Sequence, residues 1–209
     1  MTAEIIALFA GLGVIALIFV FTLANSSPPT PTGPRVMRAV FRLLPRRLPE
    51  GAIVELGSGW GGLAIRLAES YPNHDVEGLE VSPLPWLVAR LRTLGGSRNV
   101  RFRYGDFMRR DLSGAALVVC YLAGPQMRKL APKLAAEMRP GTLVLSHTFQ
   151  LPGWRPADTV IADDIYQSPV YLYEVPDQTP DQASGAVAVS SQDATGAGSD
   201  GDKASNTRA

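Results

Sequence analysis

The stretch Glu55-Leu56-Gly57-Ser58-Gly59-Trp60-Gly61-Gly62 constrains this chain more than any other. Ahead of it runs Ala52-Ile53-Val54, a short apolar run with two β-branched residues, which reads as a strand. Behind it, Leu63 to Ser70 carries apolar residues at helical spacing. Strand, glycine turn and helix are the local geometry of a nucleotide-type cofactor site. The glycines allow a sharp turn and a close ligand approach, and the helix start offers unpaired N–H groups. Gly57, Gly59 and Gly62 also satisfy the spacing of a dinucleotide site, so two chemistries share the outline.

From Gly51 onward the pattern alternates. Strands are expected at 52–56, 76–81, 100–104, 115–122 and 142–147, with helices at 62–70, 85–94 and 125–138. The run from Ala115 to Leu122 is nearly all apolar, as a central parallel strand should be. Strands alternating with helices imply an α/β, Rossmann-like, doubly wound parallel sheet. The pattern then changes. Thr159–Ile165 and Val170–Val175 are strand-like, with only Tyr166-Gln167-Ser168-Pro169 between them. No helix fits in that gap, so the two runs must pair antiparallel, closing a seven-stranded sheet with a terminal β-hairpin.

The ends of the chain differ from this middle. Ile5 to Ala24 holds twenty residues without a charge, the length that crosses a bilayer core. The residues before it, Met1 to Glu4, include no Lys or Arg, which argues for a retained transmembrane anchor rather than a cleaved signal. Arg35, Arg38, Arg42, Arg46 and Arg47 all follow the span. The positive-inside rule then places a single-pass protein in the inner or cytoplasmic membrane with its domain in the cytoplasm. Ser26 to Pro34 reads as a stiff Pro-rich spacer and Arg35 to Leu44 as a basic amphipathic helix able to meet anionic headgroups. Residues 177–209 are Gly, Ser, Ala, Asp and Thr with almost no large apolar side chain, so disorder is expected there. The expected organisation is an anchor over 1–25, linker and helix over 26–50, a catalytic domain over 51–176 and a tail over 177–209.

Four features separate the two cofactor chemistries in favour of S-adenosylmethionine. Glu55 ends the first strand, where an acid can reach a cationic methionine end but would oppose a pyrophosphate. Glu80 ends the second strand, where a carboxylate accepts both ribose hydroxyls, a feature shared with NAD sites. Asp106 and Phe107 follow the third strand, where the acid can accept from an adenine amino group and Phe107 can supply a backbone N–H. The terminal hairpin is the fourth. The expected cofactor residues are therefore Glu55, Gly57, Ser58, Gly59, Glu80, Asp106 and Phe107.

These residues resemble a known family. The stretch from about Pro28 to Val175 resembles the class I S-adenosylmethionine-dependent methyltransferases. More narrowly it is similar to the ATP synthase c-subunit lysine N-methyltransferase family and its prokaryotic relatives. The resemblance is carried by Pro29-Thr30-Pro31-Thr32, Glu55-Leu56-Gly57-Ser58-Gly59, Glu80-Val81-Ser82-Pro83-Leu84-Pro85-Trp86, Tyr121-Leu122-Ala123, Met138-Arg139-Pro140-Gly141 and Leu151-Pro152-Gly153-Trp154. Trp60 stands where the family usually has an acid. The resemblance implies transfer of a methyl group to a protein lysine; the expected anchor makes a membrane protein the expected acceptor, because tethering raises its effective concentration. Tyr121, at the end of the fourth strand, is the expected catalytic residue bordering the acceptor. His147, Asp163, Asp164 and Trp154 are further candidates for its surroundings.

Composition narrows the rest. Twenty basic against 19 acidic residues give no bulk attraction to nucleic acid, so none is expected as a partner. Cys120 is the single cysteine, so no internal disulfide forms, and with two histidines no recognisable metal-ligand spacing exists. Two other functions fit the same residues: a methyltransferase for a lipid, quinone or small molecule at the membrane, or a Rossmann-like domain that senses a nucleotide without catalysis.

Overall fold

The computed structural model describes residues 2–25, 31–96 and 99–175, with the side chains of 17–25 excepted. The expected tail over 177–209 lies outside them. Seven strands form one sheet in the order β3-β2-β1-β4-β5-β7-β6. These are β1 (Ala52–Leu56), β2 (Val76–Glu80), β3 (Val100–Tyr104), β4 (Ala115–Cys120), β5 (Leu143–His147), β6 (Asp158–Ile161) and β7 (Pro169–Glu174). The first five are parallel. β7 lies antiparallel between β5 and β6, with His147 opposite Val170 and Ile161 opposite Pro169. The hairpin therefore inserts its second strand beside β5, and its turn lies near the carboxyl end of that strand.

Alternating strand residues build two cores, one on each face of the sheet. Ile53, Leu117, Val119 and Leu145 pack with α2 (Pro34–Leu43), α3 (Gly62–Ser70) and α4 (Pro83–Arg92). Val54, Leu56, Val118, Cys120 and Val144 pack with Met127, Leu130, Ala131 and Leu134 of α5 (Gly124–Glu137). The winding is uneven. Between β3 and β4 there is only a short 3-10 turn, Phe107–Arg109, and between β5 and β6 no helix at all among the described residues. Leu151, Trp154 and Tyr173 fill that second face instead, with the Tyr173 hydroxyl accepting from Leu151 N at 3.0 Å.

The glycine turn explains the close approach of α3 and α4. Gly61 sits at φ +77°, and a Cβ there would stand 2.5 Å from Phe102 Cζ and 2.8 Å from Ala89 Cβ. Gly62, the third glycine of the dinucleotide spacing, has ordinary helical φ, and a Cβ there would meet nothing within 4 Å.

α2 docks through Val36, Ala39, Val40 and Leu43, leaving Arg35, Arg38 and Arg42 exposed. The Tyr71 hydroxyl donates to Pro45 O at 2.6 Å and pins the chain leaving that helix. Ahead of it, Ala3–Asn25 is one α-helix, α1, of 23 residues. Among the described residues no helix is long and apolar enough to cross a membrane. The transmembrane reading of Ile5–Ala24 is thus not supported there. The side chains of α1 are described only from Ala3 to Ala16, shorter than the ~20 apolar residues a bilayer core requires.

Candidate active site

Three parallel strands deliver the first elements of the site. β1, β2 and β4 end side by side, and the segments following them enclose a cleft of about 460 Å³. That volume lies within the range of about 300–1,000 Å³ usual for small-molecule sites. Glu55, Gly57, Ser58 and Gly59 line it from the first strand and turn, Glu80 from the second, Asp106 and Phe107 from beyond the third, and Tyr121 from beyond the fourth. All eight residues expected from sequence thus meet in one place. Ligands bind outside the carboxyl ends of the strands of such sheets because helix starts and turn N–H groups gather there.

Glu55 is buried at the end of β1, and its Oε2 has no hydrogen-bond partner. Burial pushes its carboxyl up to about 8; the backbone N–H of Ala64 works against that, and Glu80 adds to it. The group is therefore mostly protonated at neutral pH. Ser58 Oγ, in the next turn, is likewise buried without a partner. Two orphaned polar atoms beside an open cleft are costly unless something reaches them.

Glu80 differs. Its Oε2 accepts from Gly59 N at 2.7 Å and its Oε1 from Ser82 N at 2.7 Å. The carboxylate is fixed in one orientation, with lone pairs still available to the cleft. Asp106 is exposed and caps the 3-10 turn, its Oδ1 accepting from Met108 N at 2.9 Å. Trp60 lines the cleft as well, and its carbonyl accepts from Arg92 Nη1 at 2.6 Å. That bond ties the glycine turn to the end of α4.

Tyr121 lies where the cleft turns toward β5. Its ring stacks on His147, with centroids 3.9 Å apart and an interplanar angle of 24°, and more loosely on Phe149 at 6.4 Å. His147 is buried, and burial lowers its pKa to about 4, with Asp164 opposing. Thr32 Oγ1 lies 3.3 Å from His147 Nε2, so the segment ahead of α2 folds onto the end of β5. The other candidates separate. Asp164 lies near this corner in a neighbouring cavity, whereas Trp154 packs edge-on against Tyr173 with centroids 6.1 Å apart. Trp154 caps the second core and lines neither cavity.

Sequence reading missed Gln126 and Lys129, which reach the cleft from α5, and Pro31 and Thr32, which close it from before α2. A signal for the first pair existed: both are polar positions in the first turns of a helix that follows a strand ending at the site.

Residues 55–158 match the family model described as the ANTKMT methyltransferase domain. A protein-lysine N-methyltransferase of Saccharolobus islandicus (strain REY15A) is 28% identical over 151 residues, covering 71% of this chain and 93% of that protein. The adenine nucleotide translocase lysine N-methyltransferase of Mus musculus is 34% identical over 114 residues, 53% of this chain and 48% of that protein. Among solved structures, an RNA methyltransferase from Salinibacter ruber in complex with S-adenosyl-L-homocysteine superposes with a TM-score of 0.61. It is 32% identical, covering 73% of this chain and 97% of the other.

A sheet of this order with these strand-end acids defines a class I S-adenosylmethionine-dependent methyltransferase, and the chain belongs to that class. Within it, the chain is related to the ANTKMT methyltransferases. Its cofactor is S-adenosylmethionine, and the cleft suits that group: Glu55, a buried carboxyl with a free oxygen, lines it and is available to a cationic ligand.

Proposed function

We propose that this methyltransferase acts on lysine ε-amines of proteins, tethered to a membrane by α1. The observation that carries the acceptor reading is the pair of curated relatives, both lysine N-methyltransferases, one matched over 93% of its length.

S-adenosylmethionine supplies an electrophilic methyl group on a sulfonium. The chain has three tasks. Glu55 would meet the cationic methionine end, Glu80 the ribose hydroxyls, and Asp106 with the Phe107 N–H the adenine edge. Gly57, Ser58 and Gly59 would let the backbone approach between them. Tyr121 would border the incoming amine and hold it in line with the methyl group; alignment supplies much of the acceleration in such transfers. A lysine desolvated beside the Tyr121–His147 stack sheds its proton readily to water, so no strong base is required.

Two features support the tether. The described residues of α1 are exposed along their length, including Ile6, Leu8, Phe9, Leu12 and Ile15. A run of large apolar side chains on every side of a helix calls for an apolar surrounding. The exposed Arg35, Arg38, Arg42, Arg46 and Arg47 follow that helix in the chain and suit anionic headgroups. By the positive-inside rule the domain faces the cytoplasm, where the cofactor is made. A membrane-bound acceptor would then be held at high effective concentration.

RNA is the second reading, favoured by the 32% identity to the Salinibacter RNA methyltransferase. Labelled methyl transfer into a membrane fraction, with the labelled molecule identified, separates the two. Flotation of the full chain with anionic vesicles tests the tether.

A further inference from the structure

Beside the cofactor cleft lies a second cavity of about 490 Å³. It shares Pro31, Thr32 and Tyr121 with the cleft and is otherwise built from different residues, among them Arg35, Arg38, His147, Asp164 and Tyr166. We infer that this cavity is the channel by which the acceptor lysine reaches the cofactor, with the Tyr121–His147 stack as its inner wall and the turn of the β6–β7 hairpin as its outer rim. The inference rests on the lysine reading above and assigns it a path.

The inner wall suits a lysine stem. The stacked rings offer an apolar surface along which four methylenes pack while the nitrogen goes ahead. His147 is fixed by that stack and by Thr32, and burial keeps its imidazole uncharged near neutrality. It therefore does not repel an arriving ammonium.

The rim suits the rest of a protein acceptor. Asp164 is held in place, its Oδ1 accepting from Ser168 N at 2.7 Å and its Oδ2 from Ser168 Oγ at 2.8 Å. Those bonds keep its carboxyl below the usual carboxylate range, so it stays charged and attracts the ammonium to the mouth. Arg35 and Arg38 stand across the cavity on α2, and no ion pair engages them among the described residues. They fit carboxylates or carbonyls that flank the lysine. Ile165 and Tyr166 project from the hairpin turn, 87% and 85% exposed. Tyr166 lines the cavity, and with Ile165 next to it in the chain it forms an exposed apolar pair of the kind that marks a contact for another protein. Opposite charges on the two sides also orient the approaching chain.

The test uses the full chain, tritiated S-adenosylmethionine and a detergent-solubilised membrane-protein fraction. Initial rates are measured against the amount of that fraction for the wild type, Tyr166→Ala and Asp164→Asn. Binding of S-adenosyl-L-homocysteine is measured by calorimetry on the same proteins. The channel predicts half-saturation raised about tenfold in each variant, the loss of roughly 1.4 kcal/mol of acceptor binding, with affinity for S-adenosyl-L-homocysteine within about twofold of wild type. Tyr166→Ala carries the test if Asp164→Asn disturbs the hairpin, because the Tyr166 side chain packs into nothing that folding requires. Label on protein lysine with half-saturation unchanged in Tyr166→Ala overturns the channel and leaves lysine methylation standing. Label recovered in RNA or lipid overturns the lysine reading itself, and the channel with it.

Discussion

The Gly59 N–H donates to Glu80 Oε2 at 2.7 Å while the Ser82 N–H holds Oε1 at the same distance. One carboxylate at the end of β2 thereby joins the glycine turn of β1 to the start of α4 before any ligand arrives. Hydrogen bonds to a charged group contribute about 1.5–3 kcal/mol each, and those that Glu80 would make to the cofactor ribose are charge-assisted. Glu80→Gln keeps the shape and removes the charge. Calorimetry should find S-adenosyl-L-homocysteine bound about 10- to 100-fold more weakly. Unchanged affinity would remove Glu80 from the site.

Glu55 makes cofactor binding depend on pH. Its carboxyl is raised to about 8, chiefly by burial, and so is neutral below that value. A cationic ligand favours the carboxylate, so binding below pH 8 expels a proton. Affinity for S-adenosylmethionine should rise with pH, by up to about tenfold per unit, and level off above pH 8. Glu55→Gln should flatten the profile, and calorimetry in buffers of different ionisation enthalpy reads the released proton. The sign for folding is opposite. A carboxyl raised above its unfolded value of 4.5 makes the unliganded chain less stable as pH rises from 4.5 through about 8.

Gly61 and Gly62 should respond differently to the same change. Gly61→Ala places a methyl 2.5 Å from Phe102 Cζ at a positive φ, whereas Gly62→Ala adds one at a helix start with nothing within 4 Å. Urea unfolding should show Gly61→Ala destabilised by about 2–4 kcal/mol and Gly62→Ala unchanged or up to about 1 kcal/mol more stable. Equal losses at both positions would mean that the turn packs as the dinucleotide spacing suggests.

Much of this architecture was legible in the sequence, because its signals are local. Ala52–Leu56 and Val100–Tyr104 read as strands from their own residues and form over those bounds. The gap before Val170 is too short for a helix and implies an antiparallel hairpin; β7 pairs so with β5 and β6, although β6 ends at Ile161 rather than at Ile165. Glu55, Glu80 and Asp106 are legible as candidates because each lies at or just past the end of a strand, and parallel strands end together. What stayed hidden depends on distant pairing. Thr32 meets His147 across 115 positions of chain. The Tyr121–His147 stack joins two strand ends whose side-chain directions no periodicity reveals. Asp106 looked free to meet a ligand, but it also caps the turn that replaces a helix between β3 and β4.

The most direct measurement of the central claim is chemical identification of the methylated group. The full chain would be incubated with tritiated S-adenosylmethionine and a membrane fraction, and the products treated with ribonuclease, extracted with organic solvent and hydrolysed. The account predicts label that survives both treatments and elutes on hydrolysis as N-methylated lysine, and that falls when Glu80 is replaced by Gln at sub-saturating cofactor. Label released by ribonuclease, or carried into the organic phase, would contradict it.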